Sequence, residues 1–232
     1  MRITRLTLPS TDVSACLAFY RDVLQLPTSG MTVHVGWTHI DIVPTSTDSG
    51  TVHLAFNIPH DRFIAACTWL RKRALLLRDP LGEEQFHVGG VWDAESVYFA
   101  GPHDAVLEFI ARRPLTLDGA VSGDFQSSEI ACVSEVGLPT DHVPTLVRSL
   151  VVNTGLAPFG DTSGDFAPMG DHEGLLILVD RRRLWFPEQR RLPGARGIQL
   201  IMEGVLPHAV LADNEGWRVT SAAPVRASMP VW

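Results

Sequence analysis

Long apolar runs are missing: no stretch of the 232 residues approaches 18 consecutive apolar side chains, and Met1 to Pro9 holds no apolar core followed by a small-residue cleavage site. These absences predict a soluble, unexported chain that meets no membrane. Cysteine is scarce, and Cys16, Cys67 and Cys132 are odd in number, far apart and set among apolar residues. That pattern argues against a disulfide framework and predicts buried thiols in a cytoplasmic protein. Basic charge is in deficit, 19 Lys and Arg against 26 Asp and Glu, and the net −7 is the wrong sign for a general nucleic-acid binder. There is no Gly-rich phosphate loop, no Cys-x-x-Cys, no Gly-x-Ser-x-Gly elbow and no His-Glu-x-x-His. Nucleophilic hydrolysis therefore has no specific support.

What is present is an ordinary globular mixture, 45% hydrophobic and 19% charged, long enough to bury a core without staples. In residues 3–9, Leu6 and Leu8 share one face of an alternating strand while Arg5 and Thr7 share the other. Ser10, Thr11 and Asp12 offer N-cap oxygens, and Val13, Cys16, Leu17, Tyr20, Val23 and Leu24 follow with helical spacing. The device recurs 130 residues later. Glu135–Pro139 matches the register of Arg5–Pro9, and Val143, Leu146, Val147 and Leu150 repeat the helical rhythm. In that register Glu135 is the positional twin of Arg5.

A second strand–helix pair begins at Thr51. Val52, Leu54, Phe56 and Ile58 form one face, and His53, Ala55 and Asn57 the other. Its distant counterpart is the run 197–202, where Gln199 takes the place of His53 but no convincing helix follows. Short extended runs at 31–36, 38–43, 95–100, 105–111, 165–169 and 174–180 lie between Gly, Pro, Asp and Ser clusters. The expected class is α+β: repeated βαβββ units forming curved mixed sheets with helices on the convex side, the fourth unit truncated. The expected organisation is a first half over 1–113, a linker over 114–128, a truncated second half over 129–204 and a C-terminal strand or tail over 205–232.

With these elements in place the chain resembles the vicinal oxygen chelate superfamily, which includes glyoxalase I, fosfomycin- and bleomycin-resistance proteins and extradiol dioxygenases. The resemblance is carried by Asp12, the helix and exit Phe19–Leu26, the strand His53–Phe56 and the run Tyr98–Phe109. It is good over 3–112, moderate over 130–180 and weak beyond 204. One departure lies in the turn before Glu108: relatives commonly show Asp-Pro-x-Gly-Asn, whereas this chain has Gly101-Pro102-His103-Asp104-Ala105 and loses the glycine suited to positive φ.

In that superfamily metal ligands project from strands onto the concave face of a cup. The resemblance maps Arg5, His53 and Glu108 onto those positions in the first half. A guanidinium has no lone pair to offer a divalent ion, so Arg5 breaks the triad. Two pairings of units remain open. If the second unit packs against the third, Glu135 joins His53 and Glu108, a set that suits Mn, Ni, Fe or Zn as the divalent metal. The other pairing sets Arg5 opposite His53 and Glu108, and a salt bridge or an anionic ligand replaces the metal. Glu108, flanked by Val106, Leu107, Phe109 and Ile110, needs an arginine or a metal if buried. For Glu135 a solvent-facing strand carboxylate is the competing expectation.

The resulting expectation is a glyoxalase- or dioxygenase-like protein that binds a small molecule, acts as a metal-dependent lyase, isomerase or dioxygenase, and exists as a monomer or homodimer. The competing reading is a metal-free binding or sequestration protein of the bleomycin-resistance kind, and a third is a degenerate fold kept as an interaction module. Concave residues expected at the ligand are Arg5, Thr7, His34, Trp37, His39, Asn57 and Gln199. His87, Trp92, His103 and His172 are further candidates without an assigned role. The run Arg181–Arg196, with six arginines around Trp185 and Phe186, reads as a solvated loop because Pro187, Pro193 and the negative total charge oppose an acidic-ligand site.

Overall fold

The computed structural model describes residues 1–117, 123–207, 209–212 and 216–222. The chain runs β1 (Arg2–Ser10), α1 (Val13–Ala18), β2 (Thr28–Ser29), β3 (Thr32–Val35), β4 (Thr38–Pro44), β5 (His53–Asn57), α2 (Phe63–Arg71), β6 (Gln85–Val88), β7 (Ala94–Ala100) and β8 (Val106–Arg112). It continues with β9 (Cys132–Thr140), α3 (Val143–Thr154), β10 (Phe166–Asp171), β11 (Gly174–Asp180), β12 (Gln199–Glu203), β13 (Val210–Ala212) and β14 (Arg218–Ser221). The class is α+β with curved mixed sheets.

Local chemistry sets the helix ends. Asp12 accepts from the Ala15 amide and caps α1, which continues through a wide turn at Phe19–Val23 and buries Cys16, Tyr20 and Leu24. α3 stops at Gly155, whose φ of 73° lies in the left-handed region and closes the last turn. On α2, Phe63, Ala66, Cys67 and Leu70 join Leu54, Phe56 and Phe109 in one core, so the helix covers the strand face opposite His53. All three cysteines are free and buried. Among the described residues no helix is long and apolar enough to cross a membrane.

Two seven-stranded sheets result, ordered β13-β14-β12-β1-β4-β3-β2 and β10-β11-β9-β5-β8-β7-β6. Each mixes the two halves. The first unit pairs with the fourth through antiparallel β1 and β12, and the second pairs with the third through antiparallel β5 and β9. The pairing question therefore resolves toward Glu135, not Arg5, as the neighbour of His53. The sheets meet where the buried Thr38 hydroxyl donates to the Ile3 carbonyl at 2.7 Å and accepts the Val133 amide at 3.2 Å.

Two units differ from the full βαβββ pattern. In the third, an isolated bridge between Pro158 and Met169 stands where a short strand is expected. The fourth has β12, β13 and β14, and no helix among the described residues; β14 follows Trp217 directly. Residues 118–122 of the expected linker and 223–232 of the expected tail lie outside the described residues. The turn that lacks its glycine is made with His103 at φ 52° and Asp104 at φ 60°. It is held by a 2.7 Å hydrogen bond between Ser10 Oγ and His103 Nε2 and by Arg191, which donates to Asp104 at 2.8 Å.

Candidate functional site

Ala55 is the centre of the second sheet's concave face. Across parallel β8 it is register-paired with Glu108, and across antiparallel β9 with Glu135. Side chains two apart on a strand share a face, so His53 joins them. The Ala55 methyl leaves the space between the carboxylates open. The ligating atoms of His53, Glu108 and Glu135 all lie within 4.8 Å of one another. His53 Nε2 is 3.6 Å from Glu108 Oε2 and 3.9 Å from Glu135 Oε2, and all three residues are buried. His53 Nδ1 donates to the Val106 carbonyl at 3.1 Å, which fixes the ring and, in the neutral tautomer, turns the Nε2 lone pair toward the carboxylates. Burial corrects the expectation of a solvent-facing Glu135.

Arg112 completes the cluster. It is four residues beyond Glu108 on β8, hence on the same face, and its side chain is fully buried. Its Nη2 donates to Glu135 Oε1, which leaves Glu135 Oε2 for His53. Period-two spacing from Glu108 is the signal by which sequence reading could have found this arginine.

The electrostatics separate the two glutamates. Burial, reinforced by the neighbouring Glu135 charge, pushes the Glu108 carboxyl up to about 7. Burial acts on Glu135 in the same sense, but the Arg112 charge and then His53 outweigh it and hold that carboxyl below the ordinary range. Burial opposes protonation of His53, yet Glu135 and Glu108 overcome it and raise the imidazole. Tyr98, register-paired with Glu108, is pushed well above its ordinary value by burial and then by both carboxylate charges, so its hydroxyl keeps its proton.

Above the cluster lies a cavity of about 730 Å³. Its walls include Phe86, Trp92, Tyr98, Phe166 and Ile177 from the sheet and its turns, and Arg182, Arg183, Leu184, Trp185, Phe186 and Gln189 from the segment after β11. That segment corrects the solvated-loop expectation. Trp185 is 6% exposed, lies 5.0 Å from the His53 ring, and donates from its indole to the Thr51 carbonyl at 3.0 Å. A close approach of Gly194 to Gly50 and the ion pairs of Arg191 with Glu188 and Asp104 pin the segment. Trp92, which lines the cavity, packs on Phe159 at 5.1 Å, bringing the β6–β7 turn against the stretch before β10.

The expected ligand-binding residues lie elsewhere. Arg5 is half-exposed on β1 and pairs with Asp41 at 2.5 Å. Thr7 is register-paired with Asp41 and Gln199, and Arg5 with His39. The His34 and His39 rings meet edge to face at 4.9 Å, and the Arg2 guanidinium lies 4.6 Å from the Trp37 ring. These residues belong to the first sheet. Asn57 is on the second, buried, with its amide donating to the His172 carbonyl at 2.9 Å. Among the described residues that line the cavity, none of these seven appears. Of the unassigned candidates, His87 and Trp92 line it, His103 braces the turn with Ser10, and His172 packs on Phe159.

No protein-family model matches this chain, and no curated protein matches it in sequence. Solved structures do. A presumed dioxygenase of Bacillus subtilis superposes with a TM-score of 0.59 at 17% identity, covering 95% of this chain and 85% of that one. Glyoxalase I from Zea mays superposes with a TM-score of 0.58 at 13% identity, covering 96% and 92%. At such identities the likeness is one of fold. What is shared is the fold, the curved mixed sheets that the resemblance in sequence implies.

Proposed function

We propose that this protein is a divalent-metal-dependent lyase, isomerase or dioxygenase of the glyoxalase type, with the ion held by His53, Glu108 and Glu135. The observation that carries this reading is the convergence of one imidazole and two carboxylates at the floor of a cavity of substrate size. The residues fit such a group. Ligands about 2.1 Å from an ion stand about 3.0–3.5 Å apart; His53 Nε2 is 3.6 and 3.9 Å from the two carboxylates, and all three ligating atoms lie within 4.8 Å of one another, so binding would draw them together. Hard carboxylates with one imidazole suit Mn, Ni, Fe or Zn.

Held by His53, Glu108 and Glu135, a divalent ion would supply Lewis-acid polarisation of substrate oxygens and stabilisation of developing oxyanion charge. The chain's own residues do the rest. Val106 sets the His53 tautomer, and Arg112 holds Glu135 ionised and aimed. Without an ion, burial and the Glu135 charge raise Glu108 to about 7, so a Glu108 released from the ion could accept a proton at Oε2. Trp185 and Phe186 keep water from the floor. The three buried, unpaired thiols suit a reducing compartment, and we place the protein in the cytoplasm.

Metal analysis of protein purified without chelator, followed by titration with Mn²⁺, Ni²⁺, Fe²⁺ and Zn²⁺, tests the reading. A stoichiometric ion lost in Glu135→Ala supports it; no retained ion and none recovered on titration ends it. One observation favours a second reading, metal-free binding of the bleomycin-resistance kind: Arg112 already compensates the Glu135 charge without an ion. Thermal stabilisation by organic ligands alone, with no response to the four cations, supports that alternative.

A further inference from the structure

We infer that the cavity takes a neutral, flat aromatic substrate, laid against a wall of rings with its polar edge toward the carboxylate floor. This rests on reading the cavity as the substrate site; it adds the substrate's chemical class. Phe86 and Tyr98 come from β6 and β7, and Phe186 comes from the segment after β11 to complete the wall. Their centroids are 4.6 Å apart for Phe86–Phe186, 5.2 Å for Tyr98–Phe186 and 5.8 Å for Phe86–Tyr98. Phe186 remains 41% exposed, an apolar ring held at the mouth by two aromatic neighbours. Trp92, Phe166 and Ile177 face the cavity as well, so apolar walls surround the floor.

Charge narrows the class. Both arginines among the described lining residues already have a carboxylate, Arg182 with Asp180 at 3.0 Å and Arg183 with Asp165 at 2.8 Å; of the imidazoles, His87 lies 3.0 Å from Glu95 and His53 faces Glu108 and Glu135. An anionic ligand would compete with Asp180 and Asp165 for these guanidiniums and, in the ion-free protein, would approach a floor that carries two carboxyl groups. A polar aliphatic ligand would find hydrogen-bond partners at Ser96, Tyr98, Gln189 and the two arginines, but its carbon skeleton would gain less than a flat ring from Phe86, Trp92, Phe166 and Phe186. A neutral flat ring avoids that competition and gains offset or edge-to-face contacts with the wall. The volume of about 730 Å³ accommodates more than one ring.

Three probes of one size separate the classes: 2-naphthol, neutral and aromatic; 2-naphthoate, anionic and aromatic; and decahydro-2-naphthol, neutral and saturated. Their binding is measured by calorimetry and ligand-observed NMR, on protein as purified and after dialysis against chelator. The expected result is saturable binding of 2-naphthol at least tenfold tighter than either competitor. Phe186→Leu, which keeps an apolar side chain at a half-exposed position, should cut that preference at least threefold without moving the melting temperature by more than a few degrees. Naphthoate or the saturated alcohol binding as tightly as naphthol, or no probe binding at all, overturns the inference. Metal content, measured on the same samples, fails independently: selective naphthol binding without any ion sinks the metal-dependent reading alone, and a bound ion without naphthol selectivity sinks the aromatic one alone.

Discussion

Trp185 lies directly over Gly137: a Cβ built on Gly137 would stand 2.6 Å from the indole Cη2 and 3.2 Å from the His53 Cβ. The missing side chain on β9 is thus the seat of the segment that covers the cavity, two residues beyond Glu135 on the same strand face. Gly137→Ala keeps a strand residue in a strand and introduces only a steric conflict. Overpacking of this kind costs about 1–3 kcal/mol, at roughly 2–4 °C of melting temperature per kcal/mol for a chain of this size. Gly137→Ala should lower the melting temperature accordingly and alter Trp185 fluorescence, and adding Trp185→Phe should recover part of the loss. An unchanged emission spectrum and melting point would remove Gly137 from this role.

Arg112 supplies a second prediction. Its removal strands a buried carboxylate, which is worth about 3–5 kcal/mol against the fold. Arg112→Met should therefore destabilise strongly in urea titration and weaken metal retention, because Glu135 loses the partner that aims its second oxygen. The double variant Arg112→Met with Glu135→Leu replaces the pair by apolar bulk and should regain most of the stability without regaining metal. Arg112→Lys keeps the charge and should retain part of both. If the double variant is no more stable than the single one, the pair is not the source of the loss.

The pH dependence follows from Glu108. Its folded value of about 7 lies above the ordinary 4.5, so the native state favours the protonated form. That contribution is complete below about pH 4.5 and is lost as pH rises to and through 7. In metal-free protein, Glu108→Gln removes this loss and should be the more stable of the two at pH 8, by an amount of order 3 kcal/mol at most; at pH 4 the two should converge. Metal affinity runs the other way, because a proton on Glu108 competes with the ion. Affinity should fall about tenfold for each pH unit below 7, and more steeply where His53, also raised, is protonated as well. Calorimetric titration from pH 5.5 to 8 reads the slope, and a flat profile would contradict Glu108 as a ligand.

How much of this was legible in the sequence depends on the range over which the cause acts. Asp12 capping α1, the alternation of β5 and the register of Glu135 with Arg5 are local patterns, and they read correctly. Whether β5 would lie beside β1 or β9 is a matter of strand pairing between residues about 80 apart, and neither alternation nor composition distinguishes the two. Glu135 looked solvent-facing for that reason: only the partner strand and the buried Arg112 reveal that it is enclosed. The arginines at 181–183 and 190–196 disguised Trp185 as part of a solvated loop, since the feature that buries it is an absent side chain on a strand 48 residues earlier. Six of the seven residues expected at the ligand lie on the first sheet or its turns, whereas the cavity lies on the second, where strand pairing brings Glu108 and Glu135 together.

That asymmetry makes a prediction about stoichiometry. In the first sheet Arg5 is register-paired with Ile201, as Glu135 is with Ala55, and Ile201 is register-paired with Thr220, as Ala55 is with Glu108. Gln199, two residues before Ile201, stands where His53 stands. The second sheet's imidazole, two carboxylates and central methyl thus become an amide, a guanidinium, a hydroxyl and a branched side chain. Arg5 offers no lone pair, its positive charge repels a cation, and Ile201 fills the space that Ala55 leaves open. Metal analysis should therefore find one ion per chain, not two. His53→Ala and Glu108→Ala should each reduce it toward zero, and Arg5→Glu with Gln199→His should not by itself create a second site, because Thr220 and the bulk of Ile201 remain. Two ions per chain in the wild type, or one that survives loss of both His53 and Glu108, would place the metal elsewhere.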